Sequence, residues 1–189
     1  MRIKVQPTTD NPFTLALRIP HWSTQTRLEL NGEGIQGVRA GSYWEVKREW
    51  QSGDTLELEF DFRPHFWVKP PTDETEEMDQ DGERVRSTSI YRGPLLLAYD
   101  THHQQTDQEP LPVLDAALLE LKEIEDTRWL KPWLLLETTA TDGSTLRLCD
   151  FASAGMAGTA YESWLPMQNT ATPVSFSPTN PLRSQRPPA

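Results

Sequence analysis

Cysteine is almost missing from this chain of 189 residues, where Cys149 stands alone. One thiol closes no internal disulfide, so no fold stapled by bridges is available, and a single thiol says little about redox compartment. No apolar run approaches the length of a membrane span. A basic stripe is lacking too: 18 Lys and Arg face 28 Asp and Glu, for a net charge of −10. Such a surface repels a phosphate backbone, which sets nucleic acid aside as a partner. The opening residues, MRIKVQP, hold no apolar segment of the kind a secretion signal needs. That bears only on the sequence as given and leaves the compartment undetermined. No internal repeat is visible.

What is present is aromatic residues and alternation. The hydrophobic fraction is 36%, yet it includes seven Trp, six Phe and four Tyr, enough for a core. Phe13, Leu15, Leu17 and Ile19 alternate with Thr14, Ala16 and Arg18, and Leu56, Leu58, Phe60 and Phe62 with Glu57, Glu59 and Asp61. A period of two buries one face of a strand and wets the other, the pattern of antiparallel sheets packed together. Asn31-Gly32 and Ser52-Gly53-Asp54 are turn signals between such runs. Further strands are expected at 4–6, 27–30, 43–48, 85–91, 95–99, 133–138 and 145–148. Many short strands with regular turns predict an all-β, antiparallel sandwich of jelly-roll type.

Three segments stand apart. Leu114 to Asp126 has good helix formers but also partial alternation at Leu119 and Leu121, so a short helix and a strand both remain open. Asp73 to Glu83 holds seven carboxylates and no base, which leaves about −3 for the rest of the chain, and the stretch Pro70 to Glu83 reads as a solvated loop. Residues 169–189, rich in Pro, Ser and Thr, read as an extended or disordered tail. The expected division is a sandwich core over 1–100, further strands over 101–168, and that tail.

Several motifs occur in order: Arg18-Ile19-Pro20-His21-Trp22, Leu28-Glu29-Leu30-Asn31-Gly32, Gly41-Ser42-Tyr43, Arg48-Glu49-Trp50-Gln51-Ser52-Gly53-Asp54 and Arg92-Gly93-Pro94-Leu95. In order and spacing they resemble the β-sandwich that follows the catalytic barrel of β-L-arabinofuranosidase-type bacterial glycosidases, glycoside hydrolase family 127 and its relatives. Asp150-Phe151-Ala152-Ser153-Ala154-Gly155, then Tyr161 and Trp164-Leu165-Pro166, resemble later segments of some relatives, although a W-A-N-R-G stretch found in others is absent. The resemblance implies that chemistry belongs to a helical barrel missing from this chain. It also implies a zinc held there by one glutamate and three cysteines, one of them the nucleophile. A single cysteine cannot build that site, so no catalytic residue and no cofactor are expected.

Other candidate chemistry is weaker. A glycosidase needs two facing carboxylates, but Glu29, Glu45, Glu57 and Glu59 fall on the polar faces of strands. Cys149 reads as a small buried hydrophobe rather than a nucleophile. Glu77, Asp79, Asp81 and Gly82 faintly suggest the start of a calcium loop, with Asp79 and Asp81 as ligands, but Thr88 stands where the bidentate carboxylate belongs. His102-His103 reads as a solvated turn. Trp22, Trp44 and Trp50 lie inside the strand motifs and are expected in the core, with Trp164 following the same logic. Trp67, Trp129 and Trp133 lie outside them, near Lys69, Arg128 and Lys131, and are the candidates for a sugar-stacking platform. The sequence therefore predicts a non-catalytic accessory module of a plant-polysaccharide-degrading glycosidase. Its expected partner is an arabinose-containing or other cell-wall glycan. The alternative is a structural buttress that contacts a parent barrel or a second copy.

Overall fold

The computed structural model describes residues 1–69, 77–78, 84–106, 108–125 and 130–170. The calcium candidates Asp79 and Asp81, the platform candidate Trp129 and nearly all of the Pro-rich tail lie outside them. The described residues are all β apart from one 3₁₀ turn, and they form two compact units that divide between Arg63 and Pro64. No helix among them is long and apolar enough to cross a membrane.

The first unit contains β1 (Arg2–Lys4), β2 (Phe13–Arg18), β3 (Arg27–Leu30), β4 (Glu33–Gly34), β5 (Tyr43–Arg48) and β6 (Thr55–Glu59). A four-stranded antiparallel sheet runs β1-β6-β3-β4, and β2 pairs with β5 as a two-stranded ribbon. Alternation sets the register: Leu28 faces Leu58, and Leu15 faces Val46. The apolar faces of sheet and ribbon share one core of Val5, Ile19, Leu28, Trp50, Leu56 and Leu58, with Phe13, Leu15, Leu17, Trp44 and Val46 packed against it. Each fully buried leucine there is worth about 1.5–3 kcal/mol against exposure.

Turn chemistry locks that unit. Asn31 and Gly32 both take positive φ, 53° and 82°, and join β3 to β4 in two residues, the geometry that favours Asn-Gly. The Asn31 amide donates to Asp54 Oδ1 at 2.8 Å and its oxygen accepts from the Thr55 N–H at 2.8 Å. Asp54 Oδ2 also accepts from the Gln51 N–H at 2.9 Å. The two turn signals of the sequence are thus one hydrogen-bonded assembly.

The second unit contains β7 (Pro64–Val68), β8 (Glu77–Met78), β9 (Arg84–Arg92), β10 (Leu95–Asp100), β11 (Leu114–Asp115), β12 (Lys122–Glu123), β13 (Leu135–Thr139), β14 (Thr145–Asp150), β15 (Tyr161–Glu162) and β16 (Leu165–Gln168). They join in one sheet of order β11-β16-β9-β10-β14-β13-β12, with β7 and β8 also on β9 and β15 on β10. Only β11 and β16 pair in parallel among the described strands. Ile90, Leu97, Leu114, Leu136, Leu148, Leu165 and Met167 form its core.

Three expectations need correction. Leu114–Asp126 forms no helix in its described part: β11, a turn and β12 occupy it, because Leu114 is fully buried beside Met167 and tertiary packing overrides propensity. The alternating run at 56–62 stops as a strand at Glu59, and Phe62 is half exposed, its ring 5.2 Å from that of Trp22. Trp164 lies at 37% exposure rather than in the core, since it is Leu165, the next residue along, that points inward.

Candidate functional site

Trp133 stands out on the surface, 94% exposed. It precedes β13, and its backbone is held from below: its N–H donates to Ser153 Oγ at 3.3 Å, and the N–H of Leu134 donates to Asp150 Oδ2 at 3.1 Å. Asp150 in turn accepts from both the N–H and the hydroxyl of Ser153, at 3.0 and 2.9 Å. The Asp150-Phe151-Ala152-Ser153 turn therefore fixes the chain while the ring stays in water. Beside it opens a cleft of about 530 Å³ lined by Glu123, Glu125, Lys131, Pro132, Trp133 and Leu135. Glu123 is braced by Arg92 at 3.2 Å. A flat ring flanked by carboxylates and an amine can stack on the apolar face of a small polar ring and bond its hydroxyls.

The other described platform candidate is not part of that cleft. Trp67 is 36% exposed on β7, paired opposite Ser89 of β9, and β7 lies four strand positions from β13 along the sheet. Among the core candidates, Trp50 is 3% exposed and its indole N–H donates to the Phe13 carbonyl at 3.0 Å, whereas Trp22 and Trp44 are half-buried.

A second constellation escaped the sequence reading. Successive side chains of β10 alternate, so Ala98 and Asp100 share the face opposite Leu97 and Tyr99. Cys149 of β14 pairs with Ala98, which sets it on the same face next to Asp100. The 3₁₀ turn Thr101–His103 then folds back, capped by Asp100, and carries His103 inward. Asp100, His103 and Cys149 are 1%, 3% and 0% exposed, and their donor atoms lie within 4.8 Å of one another. His102-His103 is thus not the solvated turn expected: the cap on Asp100 turns His103 into the interior. Asp100 Oδ1 accepts from the His102 N–H at 2.9 Å and the Thr159 hydroxyl at 2.6 Å, and Oδ2 from the Gly155 N–H at 2.7 Å. Burial alone would raise its pKa, but these bonds and the neighbouring His103 outweigh it and hold the carboxyl below the ordinary 3.8.

A buried cysteine, histidine and aspartate invite comparison with a thiol nucleophile and its base. The electrostatics oppose it. Burial, with Asp100 and Asp150 adding to it, pushes the Cys149 thiol up to about 12. A nucleophilic cysteine needs the opposite shift and an open approach. The only sequence signal for this cluster was a histidine three residues after an aspartate; Cys149 lies 46 residues further on, and strand pairing alone unites them.

Residues 1–62 match the family model of the β-L-arabinofuranosidase GH127 middle domain. No curated protein matches the chain by sequence. Among solved structures it is similar to a glycoside hydrolase, with a TM-score of 0.69 and 22% identity over 88% of this chain and 30% of that one. A GH127 β-L-arabinofuranosidase from Geobacillus stearothermophilus T6 gives 0.68 and 19% over 88% and 28%. A further GH127 β-arabinofuranosidase gives 0.64 and 20% over 90% and 30%. The chain spans less than a third of the length of these structures, and at such identities the likeness establishes the fold: an all-β, sandwich-like arrangement also found within GH127 glycosidases.

Proposed function

We propose that this chain is a non-catalytic accessory module of a GH127-type glycosidase and that it binds carbohydrate through Trp133. The match of residues 1–62 to a GH127 middle domain supports the first part. The observation that carries the second is the Trp133 ring, 94% exposed on a backbone held by Asp150 and Ser153, beside the cleft with Glu123, Glu125 and Lys131. An indole left in water gains from stacking on a sugar ring, and a fixed backbone lowers the entropy lost on binding. The ligand class is a plant cell-wall or other arabinose-containing glycan. Affinity between millimolar and micromolar is expected, since one stacked ring supplies only a few kcal/mol.

Affinity electrophoresis in gels containing arabinan and a panel of other polysaccharides tests this reading. Retardation should be lost in Trp133→Ala while the circular dichroism and melting temperature stay as in the parent, because the ring contributes almost nothing to the core. Retardation that survives in Trp133→Ala would remove this ring from the site. The chain alone should release no arabinose from β-L-arabinofuranosyl substrates.

A second reading makes the module a buttress for a catalytic barrel or a contact between copies. The match of residues 1–62 to a middle domain favours it. Failure to retard on any polysaccharide, together with self-association in sedimentation, would make it the better account.

A further inference from the structure

The buried side chains Asp100, His103 and Cys149, none of which lines the Trp133 cleft, form a cluster, and we propose that it is a site for a thiophilic divalent cation of the zinc class. The three supply one sulfur, one imidazole nitrogen and one carboxylate oxygen, with donor atoms within 4.8 Å of one another and each residue nearly or wholly buried. Around tetrahedral zinc such donors stand about 3.4–3.8 Å apart, so small side-chain rotations close the set. Sulfur and imidazole together select zinc over calcium or magnesium, which prefer oxygen alone.

The surroundings fit. Asp100 accepts three hydrogen bonds, two on Oδ1 and one on Oδ2, which leaves one of its roughly four lone-pair positions, on Oδ2, for a metal. The same three donors, from His102, Thr159 and Gly155, fix the carboxylate as an outer shell would. Charge balances as well. A dication set against one thiolate, one carboxylate and a neutral imidazole leaves the buried group with no net charge, the condition that burial demands. Binding would release the thiol proton of Cys149 to solvent, so affinity should fall as pH falls. The fourth position is left to water. Such a cation would tie β10 and β14 to the 101–103 turn.

Cobalt(II), which reports its own ligands, is the probe. The purified chain, reduced with a non-thiol reductant, is titrated with cobalt chloride both folded and during refolding from urea, so that access to the interior does not limit the result. One equivalent should bind with a thiolate-to-cobalt charge-transfer band and the visible bands of tetrahedral cobalt, displaced by zinc. The charge-transfer band should vanish in Cys149→Ala, and affinity should fall by more than about tenfold in His103→Gln. Zinc should raise the melting temperature of the parent and not of Cys149→Ala. No charge-transfer band at saturating cobalt in either protocol overturns the proposal. So does cobalt binding with only oxygen and nitrogen ligation, or an equal zinc-dependent stabilisation of the parent and Cys149→Ala. Should Cys149→Ala fail to fold, the band in the parent and its weakening in His103→Gln still decide.

Discussion

Trp50 shows how a single side chain can serve packing and polarity together. Its ring lies in the core 6.0 Å from Phe13, its N–H is spent on the Phe13 carbonyl, and Arg48 sits 5.4 Å above its face. Trp50→Ala should cost about 3–5 kcal/mol in urea unfolding, the range for emptying an aromatic site. Its placement was legible because it closes an alternating strand and opens a turn. Trp133 was legible only as a residue outside such motifs, since no pattern in the sequence says which rings end in water. Asp54 carries a pH signature. The Gln51 N–H first and Asn31 second hold its carboxyl below 3.8. A carboxyl with a lowered folded pKa adds stability above its unfolded value and loses it as pH drops through the folded one. Asp100 and Asp142 shift the same way. The melting temperature should therefore be level above about pH 5 and fall below about pH 4. Asn31→Ala, which strips Asp54 and the Thr55 N–H of partners, should cost about 1–3 kcal/mol at neutral pH. A melting temperature that climbs on acidification would contradict all three carboxyl assignments.

Strands and turns were predicted unevenly, for physical reasons. β3 and β5 agree with expectation residue for residue, and exposed and more buried positions alternate without a break along both. The 114–126 segment stays open between helix and strand in the sequence because its leucines suit both, and only the Leu114–Met167 pairing decides between them. The 150–155 turn reads as a motif in the sequence, but its purpose shows only in the structure: it holds the Trp133 backbone and donates to Asp100. Gly155 is its pivot. It takes φ of 74°, and an added Cβ would lie 2.8 Å from the Tyr161 ring. Gly155→Ala should therefore destabilise the second unit by about 1–3 kcal/mol, through backbone strain and displacement of Tyr161. Alanine at Gly143, which has the same kind of φ (82°) but nothing within 4 Å of an added Cβ, should cost less. Equal losses at the two glycines would show that the Tyr161 contact is immaterial.

The molecule as a whole is built from distant pairings. Ile3 lies opposite Leu56, and Thr88 opposite Leu165. Long loops must close before such contacts repay their entropy, so refolding from urea should take milliseconds to seconds rather than microseconds. Stopped-flow tryptophan fluorescence would check this, and a microsecond phase carrying the full amplitude would refute it. The division between Arg63 and Pro64 has a consequence for biosynthesis. Among the described strands, every partner of a first-unit strand lies within that unit's own 63 residues, whereas β9 must wait for β16, and β10 for β14 and β15. On the ribosome the first unit can finish while the second still shows unpaired edges. The nascent chain is then most open to aggregation in the interval after β9 and β10 emerge and before β16 arrives to cover them.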